Sequence, residues 1–265
     1  MLLRIFAIFV AVALPTTALA DCCMQFVPDQ TMFAMTMTDT AIGNRTTEMM
    51  NDQVRSRSGS TARSARSRTG ISSRTASVTT PSKPASIAHL NYAQNAQLSY
   101  DIKNKVIASI LQFARKKGRL KPETEAEVRS KLGEINIIRQ FTPEIAKHNL
   151  NPNNPATAVT TFLAVGFAIL QDRDSLTDAQ IRGINRQMAT AMAATTRTSD
   201  ADMQRFSENL YWTALVNLFD WNNTRNGMPG FTSATLKQSV SQTMRQIGFD
   251  PADWRVGPTG LVSNS

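Results

Sequence analysis

Residues 154–171 read NPATAVTTFLAVGFAILQ. Asn154 offers a helix cap and Pro155 a first helical residue. The residues that follow are apolar on every side of a helix, which marks either a membrane span or a helix at the centre of a folded domain. Thr157, Thr160, Thr161 and Gly166 interrupt the run. The run is also shorter than the roughly 20 residues that a bilayer core demands. The stretch therefore predicts a buried central helix, which the remaining segments must cover.

On the N-terminal side, Leu98, Ile102, Val106, Ile110 and Phe113 recur at three- and four-residue steps and predict an amphipathic helix ending near Gly118. Pro122, followed by Glu123, Glu125 and Glu127, predicts a second helix that stops at Gly133. Thr142-Pro143-Glu144 reads as a third start, with Thr142 as the cap.

On the C-terminal side, Thr177-Asp178-Ala179-Gln180 is a capping-box pattern ahead of Ile181, Ile184, Met188 and Met192. Ser199 caps the next segment, with Met203, Phe206, Leu210, Ala214 and Leu218 on its apolar side. Residues 220–231, DWNNTRNGMPGF, read as a loop. Ser233 caps a last helix with Leu236, Val240 and Met244 on one face, closed by Gly248 and Phe249. Asp250–Trp254 predicts one further turn, and no alternating run is long enough for a sheet. The expected fold is all-α, a compact array of six or seven helices over residues 91–265.

The stretches 151–167, NPNNPATAVTTFLAVGF, and 246–261, QIGFDPADWRVGPTGL, resemble a family of exported bacterial proteins of unknown function. The resemblance covers residues 95–262. It implies export and the extent of the domain, and it carries over no catalytic residue.

The domain is expected to be preceded by three other segments. Residues 1–20 read as a secretory signal peptide: Arg4, the apolar run Ile5–Leu14, Pro15, and Ala18-Leu19-Ala20 as a cleavage site. This places the protein in the periplasm or outside the cell. Asp21 before Cys22 breaks a lipobox, so no lipid anchor is expected, and no transmembrane segment is expected in the mature chain. Residues 21–52 form a Met-rich segment, poorly ordered or one short helix. Residues 53–90 are a disordered Ser/Thr/Arg-rich linker. Between 53 and 86, 15 of the 34 residues are Ser or Thr and there is no aromatic. Such a segment buries too little apolar surface to offset about 1–2 kcal/mol of backbone entropy per residue.

The chain's formal charge of +9 is concentrated in that linker, which carries seven bases and no acid between 53 and 86. Arg55, Arg57, Arg63, Arg66, Arg68, Arg74 and Lys83 form a polycation suited to anionic envelope surfaces. Export and the lack of stacking aromatics argue against nucleic acid as its partner. Cys22, Cys23, Met24, Met32, Met35 and Met37 group sulfur donors of the kind that favour Cu(I). Asp220, Trp221, Asn222, Asn223 and Asn226 join an indole to several amides and could hold a sugar ring.

Catalytic motifs are not found. His89 and His148 form no H-E-x-x-H, and no G-x-S-x-G elbow, P-loop or G-x-G-x-x-G occurs. His148, before Asn149, is expected at a helix C-terminus in a structural role. The leading expectation is an exported, non-catalytic helical binding module of the envelope with a polycationic tether. The alternatives are a periplasmic Cu(I)-binding protein and a glycan-binding or glycan-active protein.

Overall fold

The computed structural model describes residues 87–116, 120–193, 199–228 and 230–264. After a 3-10 turn at Ile87–Leu90, the helices are α1 Ala96–Lys116, α2 Pro122–Gly133, α3 Ile137–Lys147 and α4 Pro155–Leu170. They continue with α5 Asp178–Ala193, α6 Asp200–Arg225 and α7 Ser233–Gln246. The fold is all-α, with one small addition at the C-terminus.

Helix α4 is the centre. Asn154 caps it, its side chain accepting from the Ala156 N–H at 2.9 Å, and Pro155 stands in the first turn. From Pro155 to Ile169 nearly every residue is buried. Two of its threonines keep their hydrogen bonds within the helix, Thr160 and Thr161 donating back to the carbonyls of Ala156 and Thr157. Helices α5, α6 and α7 pack directly on it. The capping box of α5 forms as read: the Thr177 N–H donates to Gln180 Oε1 at 2.9 Å, and the Gln180 N–H to Thr177 Oγ1 at 3.3 Å. Ser199 caps α6 through the Asp202 N–H. Helix α7 ends in a Schellman turn, with Gly248 at φ 82° and the Phe249 N–H on the Met244 carbonyl at 2.8 Å.

Four local expectations are corrected. Thr142 does not cap α3. Asn136 does, accepting from the Arg139 N–H at 3.0 Å, and Pro143 lies inside the helix. The buried face of Ile137, Ile138, Phe141 and Ile145 begins before the proline, and its burial outweighs the missing N–H. Residues 220–225 are not a loop but the end of α6, which stops at Asn226 and Gly227, with Gly227 at φ 67°. Asp220, Trp221 and Asn223 fall on buried positions, so packing overrides the weak helix propensity of Asp and Asn. Thr232, not Ser233, caps α7.

The fourth correction is a β-hairpin. Trp254–Gly257 (β1) pairs antiparallel with Gly260–Ser263 (β2), Trp254 opposite Ser263. It docks on α5, where Gln187 donates to the Leu261 carbonyl and accepts from its N–H, both at 2.8 Å. The turn comes so close that a Cβ on Gly183 would lie 1.8 Å from the Thr259 carbonyl oxygen. Glycine is the residue that permits this approach.

Candidate functional site: a groove at two helix ends and a buried acid

The C-terminus of α3 and the N-terminus of α5 meet beside the middle of α4 and enclose a groove with a cavity of about 390 Å³. That volume lies in the range of small-molecule sites. Its apolar walls include Phe141 and Ile145 from α3, Ala164 and Val165 from α4, and Leu176 and Ile181 around the start of α5. Phe141 is fixed from behind by stacking on Tyr211 of α6, ring centroids 5.3 Å apart. The walls thus belong to the packed core and are formed without a ligand.

Polar groups gather where the two helix ends face one another. His148, the C-cap of α3, places Nδ1 2.8 Å from Oδ1 of Asp178, the first residue of α5. An ionised carboxylate only accepts, so Nδ1 carries the hydrogen and donates. Asp178 also pairs with Arg182 one turn on, and Glu144 pairs with Lys147. The hydroxyls of Thr161 and Thr177 are engaged with the Thr157 carbonyl and the Gln180 N–H. His148 Nε2, on the ring edge away from Asp178, is buried and has no hydrogen-bond partner among the described residues. The His148 side chain is 12% exposed. A buried ring nitrogen left this way costs about 1–3 kcal/mol.

A second polar centre lies on α6. Segment 91–99 crosses the first turns of α6, and Gln204 clamps it there. Gln204 Oε1 accepts from the Asn95 N–H and its Nε2 donates to the Asn95 carbonyl, both at 2.8 Å. Asn95 in turn caps α1 through the Leu98 N–H. Beneath the clamp, Glu208 is 0% exposed. Its Oε1 accepts from Ser99 Oγ at 2.5 Å and from Gln204 Nε2 at 2.8 Å, while Oε2 has no partner among the described residues. Burial raises the Glu208 carboxyl above the ordinary glutamate range, and the two hydrogen bonds only partly oppose it. Burial also pushes the Tyr92 phenol up, the nearby Glu208 carboxyl adding to the rise. Tyr211 is raised likewise by burial.

The residues expected to hold a sugar fall in the last two turns of α6 and just beyond. Trp221 is 7% exposed and Asp220 and Asn223 are buried, whereas Asn226 is exposed. One face of the indole is covered by the Arg225 guanidinium, 5.0 Å from the ring centroid, and Arg225 is paired with Asp174 at 2.6 Å. The structure therefore does not bring these side chains together on one open surface. The expected polyanion-binding residues, Arg55 to Lys83, lie outside the described residues, as do the sulfur cluster Cys22 to Met37 and the segment 1–20. Among the described residues, no group of three or more His, Cys, Asp or Glu could hold a metal ion, and no helix is long and apolar enough to cross a membrane.

Sequence reading found His148 as a helix-end residue and Asp178 as part of a capping box. It did not pair them, since they lie 30 residues apart. It missed Glu208 altogether. A family model described as a family of unknown function, DUF6683, matches residues 1–264. No curated protein and no solved structure matches the chain.

Proposed function

The chain belongs to this family of unknown function, and from that premise we propose an exported binding module of the cell envelope. The observation that carries the reading is the preformed groove between α3, α4 and α5, with its apolar walls. Rigid apolar walls with few convergent polar groups are the ordinary build of a ligand site. The signal-peptide pattern of residues 1–20 supports delivery to the envelope. The bases between Arg55 and Lys83 supply long-range attraction to anionic surfaces there.

Two measurements test the two halves of the reading. The mature protein should bind the apolar fluorophore Nile red saturably, and Ala164→Phe, which fills the groove, should abolish that binding. Equal binding by the variant would place the fluorophore elsewhere and refute the groove. Deleting residues 53–86 should weaken retention on purified envelope and remove most of its salt sensitivity. Unchanged retention would refute the tether.

A further inference from the structure

We infer that segment 91–99 is a pH-released strap: it closes over Glu208 while that carboxyl is protonated, and residues 93–96 lift locally once it ionises. The device ties the acidity outside the fold to order at the start of α1, where the chain enters the helical array. It is independent of the groove.

Three observations carry it. The first is that the strap is one layer thick. Ala93, Gln94, Asn95 and Ala96 are exposed, yet Glu208 beneath the strap is 0% exposed. Lifting these few residues brings water to the carboxyl. Leu90 and Tyr92, each 4% exposed, anchor the strap on its N-terminal side, and α1 anchors it on the other.

The second is how the strap is fastened. The Ala93 N–H donates to Asp200 Oδ2 at 3.0 Å, and Gln204 holds the N–H and the carbonyl of Asn95, both at 2.8 Å. None of these bonds belongs to a helical ladder, so they break without unwinding α6. Gln204 Nε2 also donates to Glu208 Oε1 at 2.8 Å. The side chain that clasps the strap is thus one of the two that hold the acid.

The third is the company that Glu208 keeps. Its Oε1 has two neutral donors and its Oε2 none among the described residues. The titratable and charged groups on the surrounding elements do not answer it. Tyr92 of the strap and Tyr211 of α6 are phenols raised by burial. On α1, Asp101 accepts from Gln97 and Lys103 donates to the Gly133 carbonyl. On α6, Asp200 takes the Ala93 N–H, and Arg205 pairs with Asp202. His89, before the strap, is exposed. An ionised Glu208 is therefore poorly answered under the closed strap and hydrated under the open one. Burial accordingly holds its titration above the ordinary glutamate range. The closed state keeps a proton that the open state releases, so opening gains with rising pH, by up to about tenfold per unit. The gain begins near about pH 4.3 and ends once the raised closed value is passed.

The test is hydrogen exchange in the mature protein at the Ala93, Asn95 and Leu98 amides, in steps from about pH 4 to pH 8. Dividing wild-type protection by that of Glu208→Gln at each pH removes the chemical pH dependence of exchange and any part played by His89. The ratio should fall by up to about tenfold per pH unit and then run level. The same three amides should exchange well before those of Phe162 and Leu163 in α4, which report opening of the core. Asp200→Asn, which keeps an acceptor for the Ala93 N–H, should retain the fall. Ser99→Ala removes a donor from Glu208, so it should carry the fall to higher pH, and it serves if Glu208→Gln does not fold. A ratio at the strap that does not change with pH overturns the inference, whatever α4 shows. Exchange of the strap only together with α4 overturns it too, since no local opening then exists. Loss of the fall in Asp200→Asn would move the titration to Asp200 and refute the role of Glu208.

Discussion

Replacing Glu208 with Gln should flatten the pH dependence of stability, and the sign follows from the burial of one carboxyl. Glu208 is fully enclosed, with two donors on Oε1 and none on Oε2 among the described residues, and its folded-state titration lies above the ordinary glutamate range because burial penalises the charge. At low pH the group is protonated in both the folded and unfolded chain and contributes no slope. As pH rises past about 4.3, the unfolded chain releases this proton while the folded one keeps it. The unfolded state then binds one proton fewer, so the free energy of unfolding falls as pH rises. The fall is at most about 1.4 kcal/mol per pH unit for one proton. It stops once the pH passes the raised folded value. The neutral variant lacks this term, so the wild-type stability minus that of Glu208→Gln should decline across the window and then run level. Tyr92 and Tyr211, raised by burial above the ordinary phenol range, titrate beyond this window. Urea unfolding followed by tryptophan fluorescence, in steps from about pH 4 to pH 8, measures the difference directly. Ser99→Ala supplies a second check. It removes the 2.5 Å donor that holds the carboxyl down, so the declining window should extend to higher pH. Parallel curves for wild type and Glu208→Gln, or a difference that grows with pH, would refute the assignment of Glu208 as a buried carboxyl whose titration burial raises.

Other consequences are simpler. Gln204→Ala breaks both hydrogen bonds to Asn95 and strips one donor from Glu208, so it should cost about 2–4 kcal/mol in urea unfolding. Hydrogen exchange should accelerate at Asn95 and Leu98 in the same variant, and protection as in the wild type would count against the clamp. Gly183→Ala places a methyl group onto the Thr259 carbonyl, so the hairpin cannot seat and stability should fall by more than about 2 kcal/mol. Trp254 fluorescence should shift red with it, since the indole packs 5.3 Å from Phe249 only while the hairpin is docked. Leu163→Ala, at a position of α4 with no exposure, should cost about 3–5 kcal/mol by urea unfolding. A loss below 1 kcal/mol would mean that α4 is not the centre of the core.

How far the chain could be read depends on where the information for each element resides. Helix α4 carries its own: a cap, a proline in the first turn and a run apolar on every side. The caps at Thr177 and Ser199 and the Gly248–Phe249 ending are equally local, and all form as read. Three of the four misreadings share a cause, which is that a distant contact outweighs a local signal. Thr142-Pro143 resembles a helix start, yet the face of Ile137, Ile138 and Phe141 is already committed to the core. Asp220–Asn223 resembles a loop, yet burial of Trp221 carries α6 through it. The hairpin strands are four residues each, too short to declare themselves. Their position is set by Gly183 and by Gln187, the latter 74 residues before Leu261.

The two polar centres were hidden for different reasons. His148 and Asp178 were each visible in their local role, as residues suited to a helix end. Neither role hints at the other, because their meeting is a property of how α3 and α5 end beside the same part of α4. A helix end offers a place where a polar side chain can sit next to the core without breaking a helical hydrogen bond. Two such ends facing each other make a polar edge on an otherwise apolar groove. Glu208 was hidden because α6 intermixes apolar and polar residues, and a glutamate four residues after a glutamine reads as a solvated face. That face is buried because segment 91–99 lies over it, and Gln204 supplies the hydrogen bonds that such a cover must find. The sequence of α6 alone carries no sign of the cover. The same physics shapes both centres: packing answers one polar atom of each buried group and leaves the other, Glu208 Oε2 and His148 Nε2, without a partner among the described residues. At Glu208 most of the answers come from within the chain, through Ser99 and Gln204. At His148 the answer is one-sided: Asp178 takes Nδ1, and no described residue reaches the buried Nε2.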